Sequence, residues 1–172
     1  MGDIHVLVVF YSRTGQTERL ALAAAVGAVQ AKANIRLRWL REVAEDFTIR
    51  SVPEWKENRE RMEKEYVAPR EADAVWADAL VIGTNGAPSE LKDYLASLEA
   101  LRTSGKLDGK IATAFSSGSS ADCAPLFAAL AQLGCVVVPS GFQPDAIENA
   151  RLQGRRVAEV ARALQGLVER HG

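Results

Sequence analysis

Histidine and cysteine are scarce in this 172-residue chain, at two residues each. With only His5 and His171, a histidine-rich metal centre or a Ser-His-Asp triad has almost no material. Cys123 and Cys135 cannot build the disulfide framework of a small secreted domain. Charge of one sign is also missing: 21 lysines and arginines face 22 aspartates and glutamates, for a net charge of −1. That balance argues against broad attraction to nucleic acid or to an anionic membrane. It also differs from the strongly acidic surface of a carrier that docks on basic partners. No apolar run reaches the roughly 18 residues of a membrane span, so no stable membrane insertion is expected. Asp3 and His5 interrupt the short apolar start, so no signal segment is expected and the chain reads as cytoplasmic. Three nucleotide and phosphate signatures are absent as well. There is no G-x-G-x-x-G after the first strand and no G-x-x-x-x-G-K-[ST] anywhere. The end of the first strand reads Phe10-Tyr11-Ser12, without the acidic residues of a phosphorelay receiver.

The residues that are present belong to an ordinary folded protein, 48% hydrophobic and 25% charged, which excludes a disordered or collagen-like chain. The length fits one domain, residues 1–172, with no repeat or low-complexity linker. Short β-branched runs alternate with longer amphipathic ones. Strands are predicted at 4–10, 34–41, 79–84, 110–115 and 135–138. Helices are predicted at 17–32, 71–76, 89–101, 125–133 and 147–168. Alternation of this kind predicts parallel β-α-β units and a doubly wound three-layer α/β sandwich. Ligands of such sheets sit at the carboxyl ends of the strands, which points to segments 11–17, 84–89 and 116–122.

The first of these segments carries the strongest signal. In FYSRTGQTERLA the hydroxyls of Ser12, Thr14 and Thr17 and the flexible Gly15 fall between a strand and a helix N-terminus. Backbone N–H groups there converge on an anion, and the helix dipole favours negative charge. Arg13 either adds charge or points to solvent. A capped helix start without a ligand is the plain alternative, although capping accounts for one hydroxyl and not three.

YSRTGQTERLA resembles the phosphate loop of flavodoxins. ALVIGTNGAPSELKDYLASL, GKIATAFSSGSS, GCVVVPSGF and ARLQGRRVAEVARAL are similar, in order, to segments of the flavodoxin-like NAD(P)H:quinone oxidoreductases, once named tryptophan-repressor-binding proteins. The resemblance implies a flavodoxin-like fold with strand order 2-1-3-4-5 and FMN as cofactor. It further implies NAD(P)H as co-substrate, a quinone or other small redox acceptor, and a homodimer or homotetramer. Carried over residue by residue, it assigns the phosphate to Ser12, Arg13, Thr14, Gly15, Gln16 and Thr17. Thr84, Asn85, Gly86 and Ala87 would border the isoalloxazine ring, with Ser116, Ser117, Gly118 and Ser119 on its other side. No amino-acid side chain is assigned as catalytic, because the cofactor carries the chemistry. Relatives have a longer, aromatic-bearing loop where this chain has GTNGAPS, and a Trp-containing loop where it has RTSGKLDGK. A histidine of relatives is replaced in Gln132-Leu133-Gly134. These shortened loops leave an alternative, an electron carrier or a flavin-free binding module of the same fold. A different phosphate-bearing ligand is a weaker one.

Several other residues have plainer expectations. The segment Pro53 to Tyr66 is predicted to be a charged helix on the rim of the sheet, with Trp55, Met62 and Tyr66 inward and Glu57/Arg61 and Glu60/Lys64 as pairs. A subunit contact or a flap over the ligand is the other reading. Cys123, near a helix start that would lower its pKa, is expected to be inert for want of a neighbouring cation. Cys135, His5 and the tryptophans Trp39, Trp55 and Trp76 read as packing residues.

Overall fold

The computed structural model describes residues 2–43, 46–139, 141 and 143–171. Strands β1 (Ile4–Phe10), β2 (Ala33–Trp39), β3 (Ala79–Thr84), β4 (Ile111–Ser116) and β5 (Val136–Val137) form one parallel sheet in the order β2-β1-β3-β4-β5. The helices are α1 (Gln16–Gln30), α2 (Asp46–Arg50), α3 (Pro53–Glu65), α4 (Glu71–Trp76), α5 (Ser89–Ser97), α6 (Glu99–Thr103), α7 (Cys123–Gln132) and α8 (Ala146–His171). A short 3-10 turn, Ser120–Asp122, leads into α7. This is the doubly wound order expected from the sequence.

Alternation along β1 explains why the sheet is covered on both faces. Ile4, Val6, Val8 and Phe10 point into one core with α1 and α8, whereas Leu7, Val9 and Tyr11 point into a second core with α5 and α7. Both sets are almost fully buried, so the strand reads as a continuous apolar run. On the first face α1 and α8 touch backbone to backbone. A Cβ on Gly27 would lie 1.8 Å from the Arg151 carbonyl oxygen, and one on Gly154 would lie 1.9 Å from that of Ala24. Only glycine fits at those crossings.

Helix α2 was not predicted and several element ends shift by one to three residues, and three further features differ from expectation. The helix predicted over 89–101 breaks at Leu98, where Leu98 N–H bonds Leu95 O at 3.2 Å and Leu101 N–H bonds Leu98 O at 3.0 Å. These tighter i−3 turns keep both Leu98 and Leu101 buried against the sheet. The last strand shrinks to two residues because Pro139, which has no N–H, follows the final bond from Val138 N–H to Ala112 O. Among the described residues the i,i+4 ion pairs within α3 are Lys56–Glu60, Arg59–Glu63 and Arg61–Glu65, not the two predicted ones. Ser140 and Phe142 of the GCVVVPSGF segment lie outside the described residues.

Candidate functional site

Strands β1, β3 and β4 are adjacent in the sheet, so the segments leaving their carboxyl ends meet at one edge. Hydrogen bonds join all three. Ser117 N–H donates to Thr84 O at 3.0 Å, and the Thr17 and Ser117 hydroxyls lie 2.7 Å apart. The edge that chain topology selects is therefore the one where the hydroxyl-rich sequences converge.

The first segment folds around Ser12. Its buried Oγ accepts the N–H groups of Gly15 at 3.1 Å and Glu18 at 3.4 Å, which draws the loop into a tight arc. Ser12 therefore shapes the loop from within, and only its own hydroxyl proton remains to donate. Gly15 sits in the left-handed region at φ 93°, a conformation that favours glycine. The N–H groups of Thr14, Gln16 and Thr17 have no acceptor among the described residues. They stand at the positive end of the 15-residue helix α1. Open N–H groups at a helix N-terminus are an arrangement that suits an anion.

Arg13 does not join this cradle. Its Nε donates to the Tyr11 hydroxyl at 2.7 Å and lies 3.7 Å from Glu42, and its guanidinium stacks 4.5 Å above the Trp55 ring. It faces the neighbouring space instead, where Arg13, Asn85, Gly86, Ala87 and Pro88 line a cavity of about 300 Å³. The sequence had placed Arg13 with the phosphate contacts. The acidic and aromatic partners that redirect it come from residues 42 and 55, and nothing local to the loop announces them.

The second and third segments are fastened by Asp122, which sequence reasoning passed over. Its Oδ2 accepts the Ser116 hydroxyl at 2.7 Å, Gly86 N–H at 3.1 Å and Ser119 N–H at 3.3 Å. Those bonds, led by the Ser116 hydroxyl, hold the carboxyl below its ordinary pKa. The Thr84 hydroxyl completes its own turn by donating to Gly86 O at 3.0 Å. Gly118 lies so close to Asn85 that a Cβ on it would come within 2.9 Å of the Asn85 side-chain oxygen. No aromatic residue occurs in 84–88 or 116–119. These two loops therefore offer no aromatic wall, as expected from the shortened sequences.

Helix α3 closes the flank of the phosphate-type loop. Trp55 and Met62 are buried, and Arg61 Nη2 donates to both carboxylate oxygens of Glu18, at 3.1 and 2.9 Å, and to Asn58 Oδ1 at 3.2 Å. Glu18 is a buried acid in the first turn of α1, and Arg61 offsets its charge beside the open N–H groups. The segment is a packed rim helix, and it also touches the loop.

A further acidic group lies under Arg13. The Tyr11 hydroxyl donates to Glu42 Oε2 at 2.5 Å, and Glu42 is only 4% exposed. Burial, then the bond to Glu42, pushes the Tyr11 hydroxyl pKa far up. Glu90, in the first turn of α5, accepts Val43 N–H at 3.0 Å and the Ser89 hydroxyl at 3.4 Å, which ties it to the chain next to Glu42. Burial works to raise the Glu90 pKa, but these donors hold it below the usual value.

The remaining candidates behave as packing residues. His5 stacks on Trp76 at 4.5 Å with Nδ1 3.4 Å from Asp78, and Trp39 and Cys135 are buried. Burial and the Asp122 charge push the Cys123 thiol pKa up, which outweighs any effect of the helix start. Among the described residues no cluster of metal-ligating side chains occurs and no helix is long and apolar enough to cross a membrane.

No family model matches the chain. A curated NAD(P)H dehydrogenase (quinone) from Deinococcus radiodurans is 31% identical to it, over 85% of this chain and 78% of the relative. This chain belongs to the NAD(P)H dehydrogenase (quinone) family. A second member, NAD(P)H dehydrogenase (quinone) 3 from Rhizobium meliloti, is 29% identical over 203 aligned residues that cover 93% of each protein. Since 93% of 172 residues is about 160, some forty aligned positions fall opposite gaps in this chain. It is therefore a shortened member of the family. The fold is shared with a WrbA-like flavodoxin from Agrobacterium tumefaciens (TM-score 0.63, 23% identity, 94% of this chain and 99% of the other). It is also shared with a flavodoxin from the domain Archaea (TM-score 0.64, 14% identity, 92% and 99%).

Proposed function

We propose that the protein binds FMN at the meeting of its three loops and passes reducing equivalents from NAD(P)H to a quinone. The observation that carries this reading is the arc of open N–H groups at Thr14, Gln16 and Thr17, on the first helix of a chain that belongs to a quinone-reducing family. A phosphate monoester suits that arc, since backbone donors and the helix dipole bind it without a dedicated cation. The hydroxyls of Thr14, Thr17 and Ser117 border the same edge, and Ser12 and Gly15 keep its shape. The ring end of the cofactor suits the cavity beside Asn85, Gly86, Ala87 and Pro88, of about 300 Å³, which lies at the small end of the range for ligand pockets.

When bound, FMN supplies two-electron chemistry between a nicotinamide and an acceptor. The protein's own part is binding, orientation and charge. Asp122 fixes the 84–89 and 116–122 loops relative to each other, which sets the width of the ring site. Arg13, with Nε on Tyr11 and its guanidinium at the cavity wall, offers a positive charge where a reduced acceptor gathers negative charge. Each aromatic wall that the short loops omit would have added about 1 kcal/mol of ring stacking, so the phosphate end carries a larger share of the affinity.

Assembly as a homo-oligomer in the cytoplasm belongs to the same proposal. Its support is an exposed apolar stripe on α1, made of Leu22, Val26 and Val29 at helical spacing, together with two cysteines left as free thiols. The direct test is turnover. Protein loaded with FMN should oxidise NADH or NADPH with a benzoquinone as acceptor, and each acceptor addition should restore the oxidised flavin spectrum. Flavin uptake without pyridine-nucleotide oxidation would favour an electron carrier instead, a reading for which the shortened ring loops give the motive.

A further inference from the structure

Building on that function, we propose that Arg61 on α3 governs phosphate recognition at the start of α1 by cancelling the charge of Glu18 beside it. An anion site gains nothing from a buried acid of its own. Yet Glu18 lies in the first turn of α1, directly after Thr17, and it is only 7% exposed. Its N–H donates to Ser12 Oγ at 3.4 Å, so its backbone is part of the loop that forms the site. A carboxylate held there, shielded from water, repels a second anion at the same helix end.

Arg61 removes that repulsion. Its Nη2 donates to both carboxylate oxygens of Glu18, at 3.1 and 2.9 Å, and to Asn58 Oδ1 at 3.2 Å. Asn58 Oδ1 in turn lies 3.6 Å from the point where a Cβ on Gly15 would stand. The guanidinium is therefore one side chain away from the residue at the centre of the loop. The bond to Glu18 is the leading cause of a raised Arg61 pKa, so the cation persists at any working pH.

Two other titratable groups face the pair. Glu65 accepts Arg61 Nη1 at 2.7 Å, but its side chain is half-exposed and water screens its charge. Tyr66 stays neutral, since burial and then the charge of Glu18 raise its pKa. Glu18 is thus the buried charge that Arg61 has to match. The match is supplied from α3, which also places Trp55 under Arg13 at 4.5 Å. The rim helix is in this way a working part of the phosphate site, and FMN is the flavin whose binding depends on it. Riboflavin has the same ring and no phosphate, so its binding is indifferent to the pair.

Wild type, Arg61→Gln, Glu18→Gln and the double variant, each freed of cofactor and titrated with FMN and with riboflavin, provide the test. The ratio of the two affinities isolates the phosphate from the ring. Relative to wild type, the preference for FMN should fall about tenfold in Arg61→Gln, where Glu18 loses its counter-charge. It should rise several-fold in Glu18→Gln, where the cation stays and the acid is gone. In the double variant it should return to within about twofold of wild type, the signature of two coupled charges. A pair that only holds the fold together gives another pattern, because breaking it from either side weakens both flavins alike. Glu18→Gln decides on its own if Arg61→Gln does not fold. A preference for FMN that fails to rise in Glu18→Gln, or stays unchanged in a folded Arg61→Gln, would overturn the role of Arg61 alone. Equal affinity of the wild type for the two flavins, or binding of neither, overturns the functional reading and this role with it.

Discussion

Two buried carboxyls, Asp73 and Glu42, have nearly the same exposure, 3% and 4%, and meet their arginines at different range. Asp73, at the start of α4, accepts from Arg36 at 3.1 Å, from two nitrogens of Arg38 at 3.0 Å each and from Arg70 N–H at 2.9 Å. Arg36 in turn stacks 4.1 Å over Trp76. Burial works to raise the Asp73 pKa, but these donors win and hold it below the ordinary carboxylate value. Glu42, by contrast, accepts the neutral Tyr11 hydroxyl at 2.5 Å and has the Arg13 Nε at 3.7 Å. A carboxyl that takes guanidinium and backbone donors directly is a structural anion, whereas one that holds an arginine at longer reach helps to aim that arginine at the neighbouring cavity. The first lies on the β2 edge away from the loops, and the second lies where the loops meet.

The comparison can be broken by removing one charge at a time. Asp73→Asn should have the largest effect on stability, a loss of about 3 kcal/mol in a denaturant melt, because it strips two guanidiniums of a shared buried partner. Its pH signature is specific. A depressed folded-state pKa contributes fully above the unfolded value near 3.9 and is lost as the pH falls through the folded one, so the gap between wild type and Asp73→Asn should close in acid. Glu42→Gln should cost less, about 1 kcal/mol, since an amide oxygen can still accept the Tyr11 hydroxyl and the ion pair lost is a 3.7 Å contact to an exposed arginine. Equal losses in the two variants would erase the distinction. The smallest effect on stability is expected for Asp122→Asn, whose bonds hold two loops and not the core, so its denaturant midpoint should shift least of the three. Its FMN affinity should nonetheless drop several-fold by flavin titration, because three loop hydrogen bonds weaken together.

The sequence disclosed what depends on local pattern and concealed what depends on distant partners. The boundaries of β1, β3 and α4 follow from β-branched runs and helix signals that the tertiary structure has no cause to override. The three loops were legible too, because topology alone sends the ends of β1, β3 and β4 to one edge. Arg13 was not. Its orientation is decided by Tyr11, Glu42 and Trp55, and the last two arrive from other elements. Asp122 reaches back across 36 residues to Gly86, and Glu42 across 31 to Tyr11, and neither pairing has a spacing rule to betray it. The α3 ion pairs were misassigned for a simpler reason. Several charges on one helix offer competing i,i+4 partners, and packing of Trp55 and Met62 chooses among them.

The open N–H groups around Gly15 are the feature on which the proposed function depends, and titration of the cofactor-free protein with FMN and with riboflavin probes them most directly. The two flavins share the ring and differ in the phosphate. The account predicts that FMN binds at least about tenfold more tightly, a difference of roughly 1.4 kcal/mol or more, followed by quenching of flavin fluorescence. Equal affinity for the two flavins, or no binding of either, would contradict it.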